Sequence, residues 1–255
     1  MILVKSQKEL DIMRKAGELV ALALDKLSLN IAEGVTTAEL DRIAEEFIRS
    51  KGAVPSFKGY HGLPGAKDYP ASICASINNE VVHGIPDNRK LKNGDIISID
   101  IGIYYQGFHG DAARTFAVGK ISEKASLLIE VTKQSFYEGL RFAINGNRIY
   151  DISSAIQDYV EKFGFSVVRD YVGHGIGKNM HEEPQIPNFR TKQRGPRLMP
   201  GMTLAIEPMV NEGAYNVKLL DNMWTVVTQD GSLSAHYENT IAVTENEPII
   251  LTKLD

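Results

Sequence analysis

The sequence predicts an α+β fold in two similar halves, a curved and mostly antiparallel sheet with helices on its outer face. Three observations point there. In each half two amphipathic helical stretches precede runs rich in β-branched residues. Gly34 and Gly52 bracket one helical stretch and Gly146 and Gly164 another, both pairs 18 residues apart. Later signals recur in the same order. Val82, His83, Gly84 and Ile85 are echoed by Gly173, His174, Gly175 and Ile176, and the run from Gly94 to Asp100 by the run from Gly201 to Glu207. Asp111 with Thr115 to Val118 is echoed by Glu238 with Thr240 to Val243. The halves span about 5–118 and 122–243, and the short junction Gly119, Lys120, Ile121, Ser122 offers no linker, so residues 1–255 are read as a single domain.

Taken in order, Ser6 and Glu9 have capping-box spacing, and Leu10, Met13, Leu19, Leu22 and Leu27 continue a first long helix. Thr36 and Glu39 repeat the signal ahead of Leu40, Ile43, Ala44, Phe47 and Ile48, and Gly52 stops that helix. The stretch Ile96 to Ile101, then Tyr105, Gln106, Gly107 and the run to Val118, reads as a β-hairpin. With Tyr105 and Gln106 as its two-residue loop, Asp100 lies directly opposite Asp111. Two carboxylates about 5 Å apart at an effective dielectric near 20 repel by roughly 3 kcal/mol, so a cation is expected between them. A longer turn would instead shift the register and leave both acids solvated.

Composition narrows the classes. With 28 basic and 32 acidic residues the net charge is −4, which gives no general nucleic-acid or membrane surface. One cysteine, Cys74, permits no internal disulfide and suits a reducing cytosol, and the first residues lack the apolar core of a signal peptide. A cytoplasmic location is expected, without DNA or membrane partners.

Under the internal symmetry Asp100 corresponds to Glu207, Asp111 to Glu238 and His83 to His174. The acids fall within apolar strand-like runs, where an unpaired carboxylate is very costly. Four carboxylates and one histidine suffice to hold two bridged divalent ions, as in hydrolytic two-metal sites. Oxygen-dominated coordination favours Mn²⁺, Fe²⁺ or Co²⁺, with Zn²⁺ or Ni²⁺ as alternatives. The competing reading is a buried salt-bridge network to Arg114, Lys218 or Arg197. No His-Glu-x-x-His pair, phosphate-binding Gly-Lys-Ser/Thr loop or Gly-x-Ser-x-Gly elbow occurs.

The run Val172 to Gly177 followed by His181, Glu182, Glu183, Pro184 and Gln185, with Ile206 to Met209 and Tyr237 to Thr240, closely resembles type I methionine aminopeptidases. The similarity extends to Phe57 through Gly62 and to the Asp100/Asp111 hairpin, and covers nearly the whole chain. That family has the pita-bread fold. The resemblance implies that Asp100, Asp111, His174, Glu207 and Glu238 bind a dinuclear metal centre, and that the enzyme removes the initiator methionine from nascent chains whose second residue is small. It implies Glu207 as proton shuttle, His83 and His181 as substrate contacts, and Tyr60, Cys74, Met180 and Trp224 as an apolar sleeve for the thioether. For Cys74 and Met180 ordinary core packing is an equal alternative. The chain departs from the family where Met180 stands for a usual aromatic, where Leu63 replaces a frequent tyrosine, and in a longer 63–72 connection.

Two rivals share the fold. Proline-specific peptidases usually carry a large N-terminal domain, and non-catalytic peptide-binding relatives lack the ligands filled here. The type II enzymes usually carry an insertion between the second histidine and the last acids. The bases Arg190, Lys192, Arg194 and Arg197 suggest a weak ribosome contact, and the chain is expected to act as a monomer.

Overall fold

Each pair of helices begins with local chemistry that the sequence carries. In the computed structural model, which describes residues 2–254, α1 (Gln7–Ser28) starts where the Ser6 amide donates to Glu9 Oε2 at 2.9 Å. α2 (Thr37–Ser50) starts with a full capping box, the Thr36 amide donating to Glu39 Oε2 at 2.8 Å and the Glu39 amide to Thr36 Oγ1 at 3.2 Å. Gly52 at φ +68° ends it.

The buried stripe of α1 runs through Met13, Ala16, Gly17, Val20, Leu24 and Leu27. Leu22, expected on that stripe, is 40 % exposed, because the helical period that buries Leu24 and Leu27 turns it outward. The small residues of the stripe set the packing distance. A Cβ on Gly17 would lie 2.1 Å from the Leu251 carbonyl oxygen, and one on Gly110 only 3.0 Å from the Gly17 nitrogen.

Three short strands follow: β1 (Val54–Pro55), β2 (Cys74–Ile77) and β3 (Glu80–Val82). The hairpin of β4 (Ile96–Tyr105) and β5 (Phe108–Ala117) is the longest pairing, with β1 and β2 also hydrogen-bonded to β4. Its register differs from expectation. Gln106 and Gly107 both have positive φ, +47° and +94°, which is what a two-residue type I′ turn demands, so Tyr105 stays paired with Phe108. Asp100 then faces Ala113 and Asp111 faces Gly102. The two acids are diagonal neighbours on one face of the ladder, and still share that face.

The second half repeats the order of elements. α3 (Glu123–Leu140), capped by Ser122 Oγ, and α4 (Ile149–Glu161) precede β6 (Ser166–Val167), β7 (Gly173–Gly175) and β8 (Glu182–Ile186). Then come β9 (Thr203–Ile206), β10 (Met209–Asn211), β11 (Val217–Leu219), β12 (Val226–Thr228), β13 (Ser234–His236), β14 (Asn239–Ala242) and β15 (Ile249–Ile250). β9 pairs with β7 on one side and β14 on the other, and β10 pairs with β6 and β13. Every strand pairing among the described residues is antiparallel.

α1 and α2 cover one apolar core with Ile97, Ile99, Ile101 and Ile103, and α3 and α4 cover another with Leu204, Ile206, Val210 and Ile241. Between the cores the halves are stitched together. β3 pairs with β12. The Glu238 amide donates to the Ala113 carbonyl at 3.0 Å, and the His236 amide to Thr115 Oγ1 at 2.8 Å. Thr240 Oγ1 accepts from the Asp111 amide at 3.0 Å and donates to the Asp111 carbonyl at 2.9 Å. Among the described residues no helix is long and apolar enough to cross a membrane.

Candidate active site

The seam brings the acids together. Asp100 stands on β4, Asp111 on β5, His174 on β7, Glu207 just past β9 and Glu238 between β13 and β14. These five and His83, His181, Tyr60, Cys74, Met180 and Trp224, the eleven residues singled out from the sequence, line a single cavity of about 130 Å³. That is close to the ~150 Å³ of an apolar cavity that accepts benzene, room for one side chain of modest size. Phe57, which opens the similar run to Gly62 but carries no expected role, and Tyr69 also line it. Tyr69 braces the wall, its hydroxyl lying 3.1 and 2.9 Å from the Ile73 and Gly84 carbonyls.

At the floor, one oxygen or nitrogen from each of Asp111, His174 and Glu238 lies within 4.8 Å of the others, and the same holds for Glu207, His236 and Glu238. His174 Nδ1 donates to the Gly175 carbonyl at 2.8 Å, since a carbonyl can only accept. Its Nε2 therefore carries a bare lone pair, and that atom faces Glu207 Oε1 at 3.6 Å and Asp111 Oδ2 at 3.9 Å. A lone pair aimed at two carboxylates is repulsive unless a cation or proton lies between them. Asp100 Oδ1, Asp111 Oδ1 and Glu238 Oε1 are buried with no hydrogen-bond partner in the protein.

Electrostatics says the same. Burial pushes Asp100 up to about 7 and Glu207 up to about 8. Burial, followed by the neighbouring carboxylates, holds Asp111 and Glu238 well above the ordinary range. Burial drives His174 down to about 3, with His181 adding to the effect, so its imidazole stays neutral, as a metal ligand must be. Orphaned oxygens, an oriented imidazole and an oxygen-rich donor set fit divalent cations.

The salt-bridge alternative fails on geometry. Among the described residues only histidine side chains lie within ion-pair distance of these four acids. Arg114 instead stacks on the Tyr237 ring, 4.2 Å from its centroid, and donates to the Glu238 main-chain carbonyl and to Asn239 Oδ1 at 2.7 Å. Arg197 donates to the Gly146 carbonyl at 2.8 Å, and Lys218 is exposed on β11.

His236 escaped the sequence reading. It is 1 % exposed, its Nε2 lies 3.6 Å from Glu207 Oε2, and neither ring nitrogen has a protein partner. Its position two residues before Glu238, on the same side of an extended chain, was the available signal.

The walls are different in kind. His83 has φ +59°, a left-handed conformation unusual for a residue with a Cβ, and Gly84 follows because a Cβ there would meet the Ala75 carbonyl oxygen at 2.4 Å. The His83 ring sits edge-on to Tyr171 and Trp224, 5.8 and 6.3 Å between centroids, and burial pushes it down to about 4. His181 packs 4.3 Å from His174, ring to ring. Its loop is anchored by a buried ion pair, Lys5 Nζ to Glu182 Oε2 at 2.6 Å. Met180 and Cys74 are each 4 % exposed, and burial holds the Cys74 thiol well above its usual value, so it is neutral. Trp224 Nε1 donates to the Lys67 carbonyl at 2.9 Å, pinning the long 63–72 connection against the cavity.

Two of the four bases in the basic run pair with α4. Arg190 pairs with Asp158, and Arg194 with Asp151 at 3.0 Å.

An enclosed floor of carboxylates and imidazoles beneath a sleeve of apolar side chains defines a metal-dependent hydrolase class. The comparisons with known proteins agree. The model of metallopeptidase family M24 matches residues 11–245. Methionine aminopeptidase of Clostridium perfringens is 58 % identical over 252 residues, 99 % of each chain. The solved methionine aminopeptidase of Thermotoga maritima superposes with a TM-score of 0.95 at 45 % identity, covering 100 % of both chains. A prolidase from Pyrococcus horikoshii is similar in fold, with a TM-score of 0.80 at 24 % identity over 100 % of this chain and 65 % of that one. The chain belongs to metallopeptidase family M24 and has its pita-bread fold.

Proposed function

We propose that this chain is a metal-dependent aminopeptidase that removes the N-terminal methionine of nascent chains when the second residue is small, working in the cytoplasm as a single domain of 1–255 with repeat-related halves. One observation carries the reading: a cavity of about 130 Å³ with four carboxylates at its floor and apolar side chains at its walls. The acids attract a free α-ammonium, and the closed floor leaves no space for residues before it. Exopeptidase selectivity follows from both.

Asp100, Asp111, His174, Glu207 and Glu238 would hold two divalent ions, with Mn²⁺, Fe²⁺ or Co²⁺ favoured by the donor set. Such ions supply Lewis acidity, which polarises the scissile carbonyl and lowers the pKa of water. Glu207 accepts the proton of the attacking water and delivers it to the departing amine, a role commonly contributing about 10²- to 10⁴-fold. His181 donates to the carbonyl oxygen as negative charge develops there, and His83 holds the peptide nitrogen. Tyr60, Cys74, Met180 and Trp224 enclose the thioether, and sulfur beside aromatic edges is favourable. One chain supplies every one of these groups, which supports a monomer as the working unit. Peptides with lysine second should be poor substrates.

The test is elemental analysis of protein purified without added metal, then activity on Met-Ala-Ser after adding each candidate ion to chelated protein. Activity restored by none of them would overturn the reading. Ribosome contact through Arg190, Lys192, Arg194 and Arg197 is a separate proposal, weakened by the pairing of two of these bases with α4. Unchanged co-sedimentation with ribosomes after all four become glutamate would remove it.

A further inference from the structure

We infer that Tyr60 is a positioning residue: its hydroxyl, 2.6 Å from His181 Nδ1, fixes which nitrogen of that ring bears the proton and so presents Nε2–H to the scissile carbonyl. The inference rests on the aminopeptidase reading, and it gives Tyr60 a task distinct from forming the sleeve.

A neutral imidazole has one N–H and one lone pair, and which nitrogen holds which is set by the neighbour of the other. A phenol is a far stronger acid than an imidazole N–H, and an imidazole lone pair a better acceptor than a phenol oxygen. The bond therefore runs from the Tyr60 hydroxyl to Nδ1, which leaves the proton on Nε2. Among the described residues no other side chain or carbonyl hydrogen-bonds to the His181 ring. The other close partner is the His174 ring, 4.3 Å away between centroids, which supplies contact without choosing a tautomer.

Tyr60 is itself held in place. Its amide donates to the Phe57 carbonyl and its carbonyl accepts from the Tyr69 amide, both at 2.9 Å. The Gly59 amide donates to the Tyr69 carbonyl at 2.8 Å, and Gly59 takes φ +85°, the left-handed conformation that lets the chain turn there. Tyr69 is 2 % exposed, so the support of Tyr60 is anchored in the wall. The Tyr60 and His181 rings meet edge-on at 5.3 Å and 65°, which fixes the direction of the bond as well as its length.

Tyr60→Phe deletes the hydroxyl and keeps the ring of the sleeve. On Met-Ala-Ser the metal-loaded variant should lose about tenfold in kcat, the scale of one neutral hydrogen bond, with KM within about twofold. Imidazole ¹⁵N spectra of zinc-loaded, histidine-labelled enzyme should show His181 protonated at Nε2 in the parent chain and as a mixture of tautomers in the variant. An unchanged kcat, or a His181 tautomer that the substitution leaves alone, overturns the inference. Failure of the parent chain to cleave Met-Ala-Ser with any metal would sink the aminopeptidase reading instead, while the spectra still decide the tautomer.

Discussion

Asp111 and Glu238, at the floor of the cavity, hang from main chain that is hydrogen-bonded across the seam, whereas Tyr60, Met180 and Trp224, at its mouth, hang from connections between strands. At the floor, Asp100 Oδ1, Asp111 Oδ1 and Glu238 Oε1 are buried without a hydrogen-bond partner in the protein. Of the mouth side chains, the Tyr60 hydroxyl is hydrogen-bonded to His181 and the Trp224 indole to the Lys67 carbonyl. Ladder geometry thus fixes the part of the site where charge is concentrated, and loop packing fixes the part that meets the substrate side chain. Changes at the floor should be felt in chemistry and metal content. Changes at the mouth should be felt in selectivity.

The largest expected effect is at the floor: Glu207→Ala should lower turnover of Met-Ala-Ser by about 10²- to 10⁴-fold while circular dichroism shows a folded protein. Near-normal turnover would remove Glu207 as proton carrier. Next comes the anchor between the two regions. Lys5→Ala leaves Glu182 buried without its partner and should cost about 3–5 kcal/mol in urea unfolding, a loss that a merely exposed pair would not produce. His83→Ala should reduce kcat by about tenfold or more and leave metal content, read by elemental analysis, nearly unchanged.

Chelation sharpens the contrast through pH. In the unfolded chain the floor acids titrate near their ordinary values of 3.8 and 4.5, but in the fold Asp100 is raised to about 7 and Glu207 to about 8. Between those limits the folded, metal-free protein binds more protons than the unfolded chain, so its stability falls as pH rises. His83 and His236, lowered to about 4, and His174, lowered to about 3, act with the opposite sign, because the unfolded chain then holds the extra protons. Their contribution ends once pH passes the ordinary imidazole value of 6.5. The melting temperature of chelated protein should therefore drop from pH 7 to pH 8, and added Mn²⁺ should raise it more at pH 8 than at pH 6.5. A flat profile across that interval would mean that burial does not hold these acids protonated in the metal-free fold. The smallest effect belongs to the mouth: Met180→Leu conserves volume and should change KM by less than about tenfold.

Much of this arrangement is legible in the sequence for a physical reason. Strand alternation and the repeated order of glycines, histidines and acids place Asp100, Asp111, His174, Glu207 and Glu238 on facing segments without any knowledge of loop paths. The hairpin register is less legible, because it turns on whether Tyr105 or Gln106 accepts a positive φ, a choice made by the pairing of Tyr105 with Phe108. The places of His236 beside Glu207 and of Phe57 and Tyr69 in the cavity wall depend on tertiary packing rather than local pattern. The bases at 190–197 look free in sequence, and Asp151 and Asp158, which pair with two of them, lie over thirty residues earlier on α4.

Gly62 and Trp224 meet so closely that a Cβ on the glycine would lie 2.6 Å from the indole ring, and Trp224 is the chain's single tryptophan. The protein therefore carries its own optical reporter at the entrance. Indole emission, free of any competing tryptophan signal, should respond when a methionine side chain replaces solvent beside that ring.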